Sequence, residues 1–272
     1  LQYLGSSKII KYNFLLEFVK TKVTLKIITK KYICSTTLNR IIKNIYLMVS
    51  IKKLKENIVE DFTITLILTL FKKTFNKEYD ILGPREINSG VCIFNARKIL
   101  IFRKEEYEKL LIHELCHLLK LDFSVVEINN ISNYVNINPK YEIRINESIT
   151  EILALIIHSI IVSINISAEK NYNLASLLIN YEVNFNLIQI SKILNYFKFK
   201  NSIEFFSKYD NNNKFKQTTS FLSYFIIKTA CLFNKKLLQS FLDTNFTNFN
   251  YNNKQIAIKK YKILVIKSLQ NK

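Results

Sequence analysis

Residues 106–121 read EYEKLLIHELCHLLKL. The segment opens on charge, with Glu105, Glu106 and Glu108 where a helix N-terminus favours acids, and turns apolar after Lys109. It predicts a helix running to about Leu121. Inside it stands His113-Glu114-Leu115-Cys116-His117, an HExxH pattern. Imidazoles at i and i+4 share one helix face, about 5.4–6 Å apart along the axis, close enough to hold one metal ion. Glu114 lies about 100° round the helix, out of line as a third ligand but within reach of a water on the metal. Glu106, Lys109 and Lys120 fall on the histidine face, and Leu111, Leu115 and Leu118 oppose it, so the wheel predicts a polar histidine face over an apolar back. With three histidines in 272 residues, the pattern is expected about 0.002 times by chance. The plain alternative is a helix whose two histidines and glutamate are surface polar residues.

Upstream, Val91–Phe94 and Lys98–Phe102 are apolar runs separated by Asn95-Ala96-Arg97, which predicts a hairpin or two consecutive strands. Gly83-Pro84 and residues 86–90 read as turns. The apolar spacing from Ile58 to Phe75 is compatible with a helix. Residues 1–60 alternate Lys with Ile, Leu and Tyr and fit either short strands or basic amphipathic helices. Downstream, Asp122 to Asn138 is Asn-rich and reads as a loop. Asn138-Pro139 carries the cap and first-turn residues of a helix continuing to about Ser163. Beyond Ala168 the chain reads as mostly helical, with polar breaks at 210–213 and 245–253.

A catalytic zinc takes three protein ligands and leaves a position for water, so a third ligand is required. The metzincin extension is absent, because Lys120 and Phe123 stand where its Gly and third His would fall. His158 is the remaining histidine. Asp122 and Glu142 are possible carboxylate ligands. Asn146-Glu147-Ser148-Ile149-Thr150-Glu151 places Glu147 and Glu151 on one helical face, with Ile149, Ile152, Leu153, Ile156 and Ile160 on the far side. His158, 11 residues after Glu147, would sit about 16 Å further along that helix, too far to share an ion with it.

HELCH followed thirty residues later by NESITE resembles the gluzincin metallopeptidases. The resemblance covers about residues 91–160. It implies an α+β fold: a mainly helical zincin-like domain with a small β-sheet before the HExxH helix and a helical C-terminal region. It implies Zn2+ as cofactor, His113, His117 and Glu147 as its ligands, and Glu114 as general base and proton donor in peptide hydrolysis. Glu151 matches the acid that hydrogen-bonds a zinc-bound histidine in this group, although Asp is usual there and Ala is usual at Ser148. The strand that pairs with extended substrate is matched to Lys98, Ile99, Leu100, Ile101 and Phe102. Tyr134, Tyr141 and Arg144 are nearby candidates for the donor that stabilises an oxyanion.

The formal charge is +19. Residues 1–60 hold 12 basic and 3 acidic residues, 61–167 hold 12 and 13, and 168–272 hold 16 and 5, which divides the chain into a basic N-terminal flank, a neutral catalytic core and a basic helical C-terminal region. Such charge fits an acidic peptide or protein substrate and does not exclude nucleic acid or a membrane surface. A basic nucleic-acid- or membrane-surface-binding protein with an incidental HExxH, and an inactive metallopeptidase-like interaction module, are the competing classes. Neither GxGxxG nor GxxxxGK[ST] occurs, which excludes those phosphate-binding loops. Cys34, Cys92, Cys116 and Cys231 form no CxxC pair, as expected of a reduced protein in an intracellular, cytoplasmic setting. The apolar stretches are short or interrupted, so no transmembrane segment is expected.

Overall fold

The computed structural model describes residues 7–54, 59–74, 81–123, 126, 131–138, 141, 143–169, 171–208, 215–247, 250–251 and 253–270. In chain order the first elements are β1 (Lys8–Leu16), β2 (Thr21–Thr29), α1 (Ser35–Lys53), β3 (Phe62–Ile67), α2 (Pro84–Ile87), β4 (Gly90–Ile93), β5 (Lys98–Ile101) and α3 (Tyr107–Leu118). There follow α4 (Asn146–Ser167), α5 (Tyr172–Tyr196), α6 (Ser202–Phe205), a π-helical segment (Leu222–Ile227), α7 (Lys228–Phe233), α8 (Lys235–Asn245), the short strands β6 (Phe246–Thr247) and β7 (Asn250–Tyr251), and α9 (Lys254–Gln270). The class is α+β, as expected. The chain divides into two units, residues 1–73 with 88–122, and 74–87 with 123–272.

The first unit is built on a five-stranded sheet in the order β1-β2-β3-β5-β4. β1 and β4 are its antiparallel outer strands, while β2, β3 and β5 run parallel to one another. The ambiguous N-terminal flank therefore resolves into two strands and one helix, and those strands are continuous with the sheet rather than a separate region. β2 alternates buried Val23, Leu25 and Ile27 with Lys22, Thr24 and Lys26, the period-two pattern of a half-buried strand. On the buried side lie Ile41, Ile45 and Met48 of α1 and Leu111, Ile112 and Leu115 of α3, all fully buried. Burying each such side chain contributes about 1.5–3 kcal/mol.

The described residues of the expected helix, 59–74, do not form one. Phe62–Ile67 is β3, with Phe62, Ile64 and Leu66 buried and Thr63, Thr65 and Ile67 half-buried. The segment FTITLI alternates with β-branched residues, and that local period outweighs the looser helical spacing of the longer window. Among the described residues no helix starts at Asn138: α4 starts at Asn146, and Pro139 lies outside the described residues. Asn138 precedes a turn in which the Tyr141 N–H donates to its carbonyl, and Ile137 pairs with Phe215.

The second unit is helical around one core, in which Ile149, Ile152 and Leu153 of α4 meet Val183, Ile190 and Ile193 of α5, Leu222 and Ile226 of the π-helical segment, and Tyr261 and Leu264 of α9. Asn171 and Asn201 cap α5 and α6 through their side-chain oxygens. α4 extends to Ser167 and, among the described residues, has the length and apolarity of a membrane span; half of its apolar window is nonetheless buried. α5 and α7 pack against it, and it carries buried Asn146, Thr150, Glu151 and Ser159, which a core helix can satisfy and a lipid-facing one cannot.

Candidate metal centre

The β4–β5 hairpin leads into α3 and positions the HExxH pattern. Its connection is a short 3-10 turn, Phe94–Ala96, closed by Arg97 in the left-handed region at φ 48°. Arg97 is tied down by its guanidinium, which donates to the carbonyl oxygens of Glu60 and Asp61 and pairs with the Glu60 carboxylate at 3.1 Å. α3 packs on β4, β5 and α1. The histidine face, which the wheel reads as polar, is largely buried: His113 is 3% and Glu114 6% exposed, and Lys109 is buried too.

His113 and His117 turn their Nε2 atoms toward each other at 3.0 Å, with the rings 4.7 Å apart and nearly perpendicular. Two imidazole nitrogens each about 2.0–2.1 Å from a tetrahedral zinc stand roughly 3.3 Å apart, so the pair fits a shared metal to within a few tenths of an ångström. α3 ends in a Schellman arrangement. Lys120 at φ 54° donates to the His117 carbonyl and Leu121 to that of Cys116. This reversal returns Asp122 to the helix, where its Oδ2 bonds His117 Nδ1 at 2.5 Å. A carboxylate only accepts, so Nδ1 carries the proton and Nε2 keeps its lone pair for a metal. Asp122 thus orients His117, and is not placed as the direct ligand weighed from the sequence.

Glu114 lies against the terminal strand of the sheet. A Cβ at Gly90 would stand 3.2 Å from Glu114 Oε1, 3.1 Å from the Leu100 carbonyl and 3.2 Å from Leu110 Cδ2. Gly90, which the sequence presents as part of a plain turn, makes room for the acid. Cys92, two residues on, is half-buried, and desolvation, then the nearby Glu114 and Asp122 carboxylates, push its thiol up to about 12. It remains a thiol at neutral pH. Cys116, within the motif, is buried.

The structure corrects the substrate strand. Lys98, Ile99, Leu100 and Ile101 form β5, which is paired on both sides, to β3 and to β4, and Phe102 lies beyond it with its N–H on the Ser89 carbonyl. No edge of β5 is left for a peptide. The terminal strand is β4, Gly90–Ile93.

In the second unit, Glu147 sits half-buried in the first turn of α4. The start of that helix is fixed by Val126, whose carbonyl accepts the Ile145 N–H and whose N–H donates to Asn146 Oδ1. Ser148, where the related pattern carries Ala, is fully buried and bonded to the Tyr261 hydroxyl at 2.8 Å, so the polar replacement has a partner. Glu151 pairs with buried Lys228 at 3.3 Å, and Lys228 also meets Glu182 at 3.0 Å. The carboxylate found on a motif imidazole is Asp122, a role the sequence reading gave to Glu151. Tyr134 and Tyr141 pack against the core of this unit, Arg144 is exposed and His158 half-buried. Glu142 lies outside the described residues.

No family model matches the sequence, and no solved structure matches it. Over 169 residues the chain is 28% identical to an uncharacterized protein of Acanthamoeba polyphaga mimivirus, a stretch that is 60% of this chain and 43% of the viral protein. The chain thus spans less than half the length of the curated relative it matches.

Proposed function

We propose that the chain is a zinc-dependent peptidase of the zincin type, with His113, His117 and Glu147 as the metal ligands and Glu114 as the general base. The observation that carries this reading is the convergence of the two imidazole Nε2 atoms at 3.0 Å with Asp122 holding Nδ1 of one of them. Each member of the set offers one ligand atom, an imidazole nitrogen or a carboxylate oxygen. Continuity of the chain supports Glu147 as the third: Asp122 is only four residues before Val126, which clasps the start of the helix bearing Glu147.

A bound zinc would supply Lewis acidity toward a carbonyl oxygen and lower the pKa of water toward about 7. Asp122 keeps the His117 ring in one tautomer and one orientation. Glu114, buried beside Gly90, accepts a proton from the attacking water and passes it to the departing amine. β4, as the terminal strand, can align an extended peptide by main-chain hydrogen bonds. The +19 charge favours acidic peptides over basic ones through long-range attraction.

Glu114→Gln tests the assignment. Zinc retained with peptide cleavage abolished on a diverse peptide library supports it. Zinc retained without cleavage in the unmutated chain points instead to an inactive interaction module. Salt-sensitive nucleic-acid binding with no metal points to an incidental HExxH.

A further inference from the structure

Strand alternation and register place Ile9, Ile28 and Ile67 in one row across β1, β2 and β3, at the end of the sheet where β2 and β3 leave it. The chain segments that follow those two strands continue the same character. Tyr32 is 89%, Leu70 73% and Phe71 63% exposed, and Ile9 in the row itself is 70% exposed. Exposed Lys8, Lys30, Lys31 and Lys72 stand next to or near them in the chain. Residues 8–12, 25–34 and 65–73, at this end of β1, β2 and β3, contain no Asp or Glu; β5 leaves the sheet at the same end and is followed by exposed Lys104, Glu105 and Glu106.

Large apolar side chains gathered in the open mark an interaction surface. Here the gathering combines aliphatic, aromatic and cationic groups. Aliphatic and aromatic bodies gain by entering the headgroup boundary of a bilayer, while lysines beside them are drawn to anionic lipid. A nucleic-acid backbone would use the lysines but would gain nothing from Leu70 or Ile9, since stacking needs a flat ring. We infer that this end of the first unit docks on an anionic membrane surface, with Leu70, Phe71 and Tyr32 entering the interface and the lysines over the headgroups. This inference does not depend on the metal centre.

Co-sedimentation of the full chain with vesicles tests it, using phosphatidylcholine alone and phosphatidylcholine mixed with phosphatidylserine. The chain is expected to bind the mixed vesicles at low salt and to leave the neutral ones. Lys30→Glu with Lys31→Glu should weaken that binding roughly 30-fold, and Leu70→Ser with Phe71→Ser about 10-fold. All four positions are exposed, so circular dichroism should be unchanged. Equal partition to both vesicles, no binding to the mixed ones, or unaltered binding by both double variants overturns the inference. Single-stranded RNA bound in place of vesicles, and released by the lysine reversals alone, assigns the surface to nucleic acid and also overturns it.

Discussion

Asp122 and Gly90 show how much of a site can rest on residues that take no part in the chemistry. Asp122→Asn keeps the size of the side chain but removes the charge that holds the Nδ1 proton of His117. Loss of such an outer carboxylate costs about 10 to 100-fold in metal affinity or activity, measurable by competition with a zinc chelator. Gly90→Ala brings a methyl within 3.2 Å of Glu114 and 3.1 Å of a backbone oxygen. It should cost about 1–3 kcal/mol of stability through overpacking, read by chemical denaturation, and lower kcat with zinc content unchanged. The histidine pair and Glu114 were legible because helical spacing alone determines which side chains share a face. Asp122 was visible only as a candidate ligand. Its real position depends on Lys120 adopting φ 54°, and a lysine carries none of the signal that Gly or Asn would give at that place. Gly90 gave no signal either, since its importance lies in what packs against it and not in its own conformation.

At the scale of elements, legibility followed the length of the periodic signal. The HExxH helix and the hairpin before it stand close to where the sequence placed them, and the helical character of the C-terminal region is present. β3 was misread because six alternating residues were averaged into an eighteen-residue apolar window. The strand assignment makes a sharp distinction between neighbours. Ile64 is fully buried and Thr65 half-buried, so Ile64→Ala should cost about 2–5 kcal/mol and Thr65→Ala less than about 1 kcal/mol. Equal costs by urea denaturation would contradict the alternation. The start of α4 was misplaced by seven residues because Asn138-Pro139 has cap chemistry, whereas Asn146 uses its side chain on the Val126 N–H, a tertiary contact with no local signature. Pairing of β5 on both sides was equally hidden, because the order of strands in a sheet is not written in any one of them.

For the whole molecule, the sequence divided the chain by charge, and the fold divides it by contacts. The basic N-terminal flank supplies two strands of the first unit's sheet, and the neutral middle is shared between both units. Charge composition describes surfaces, and a sheet that draws strands from distant parts of the chain takes no account of it. The central claim of the proposed function is that His113, His117 and Glu147 serve one ion. Metal analysis by inductively coupled plasma mass spectrometry on the purified full chain tests this most directly. About one zinc per chain is predicted, lost when His113 and His117 are both replaced by Ala and bound far more weakly in Glu147→Ala. A chain that takes up no zinc, or that keeps it after both imidazoles are gone, would contradict the account.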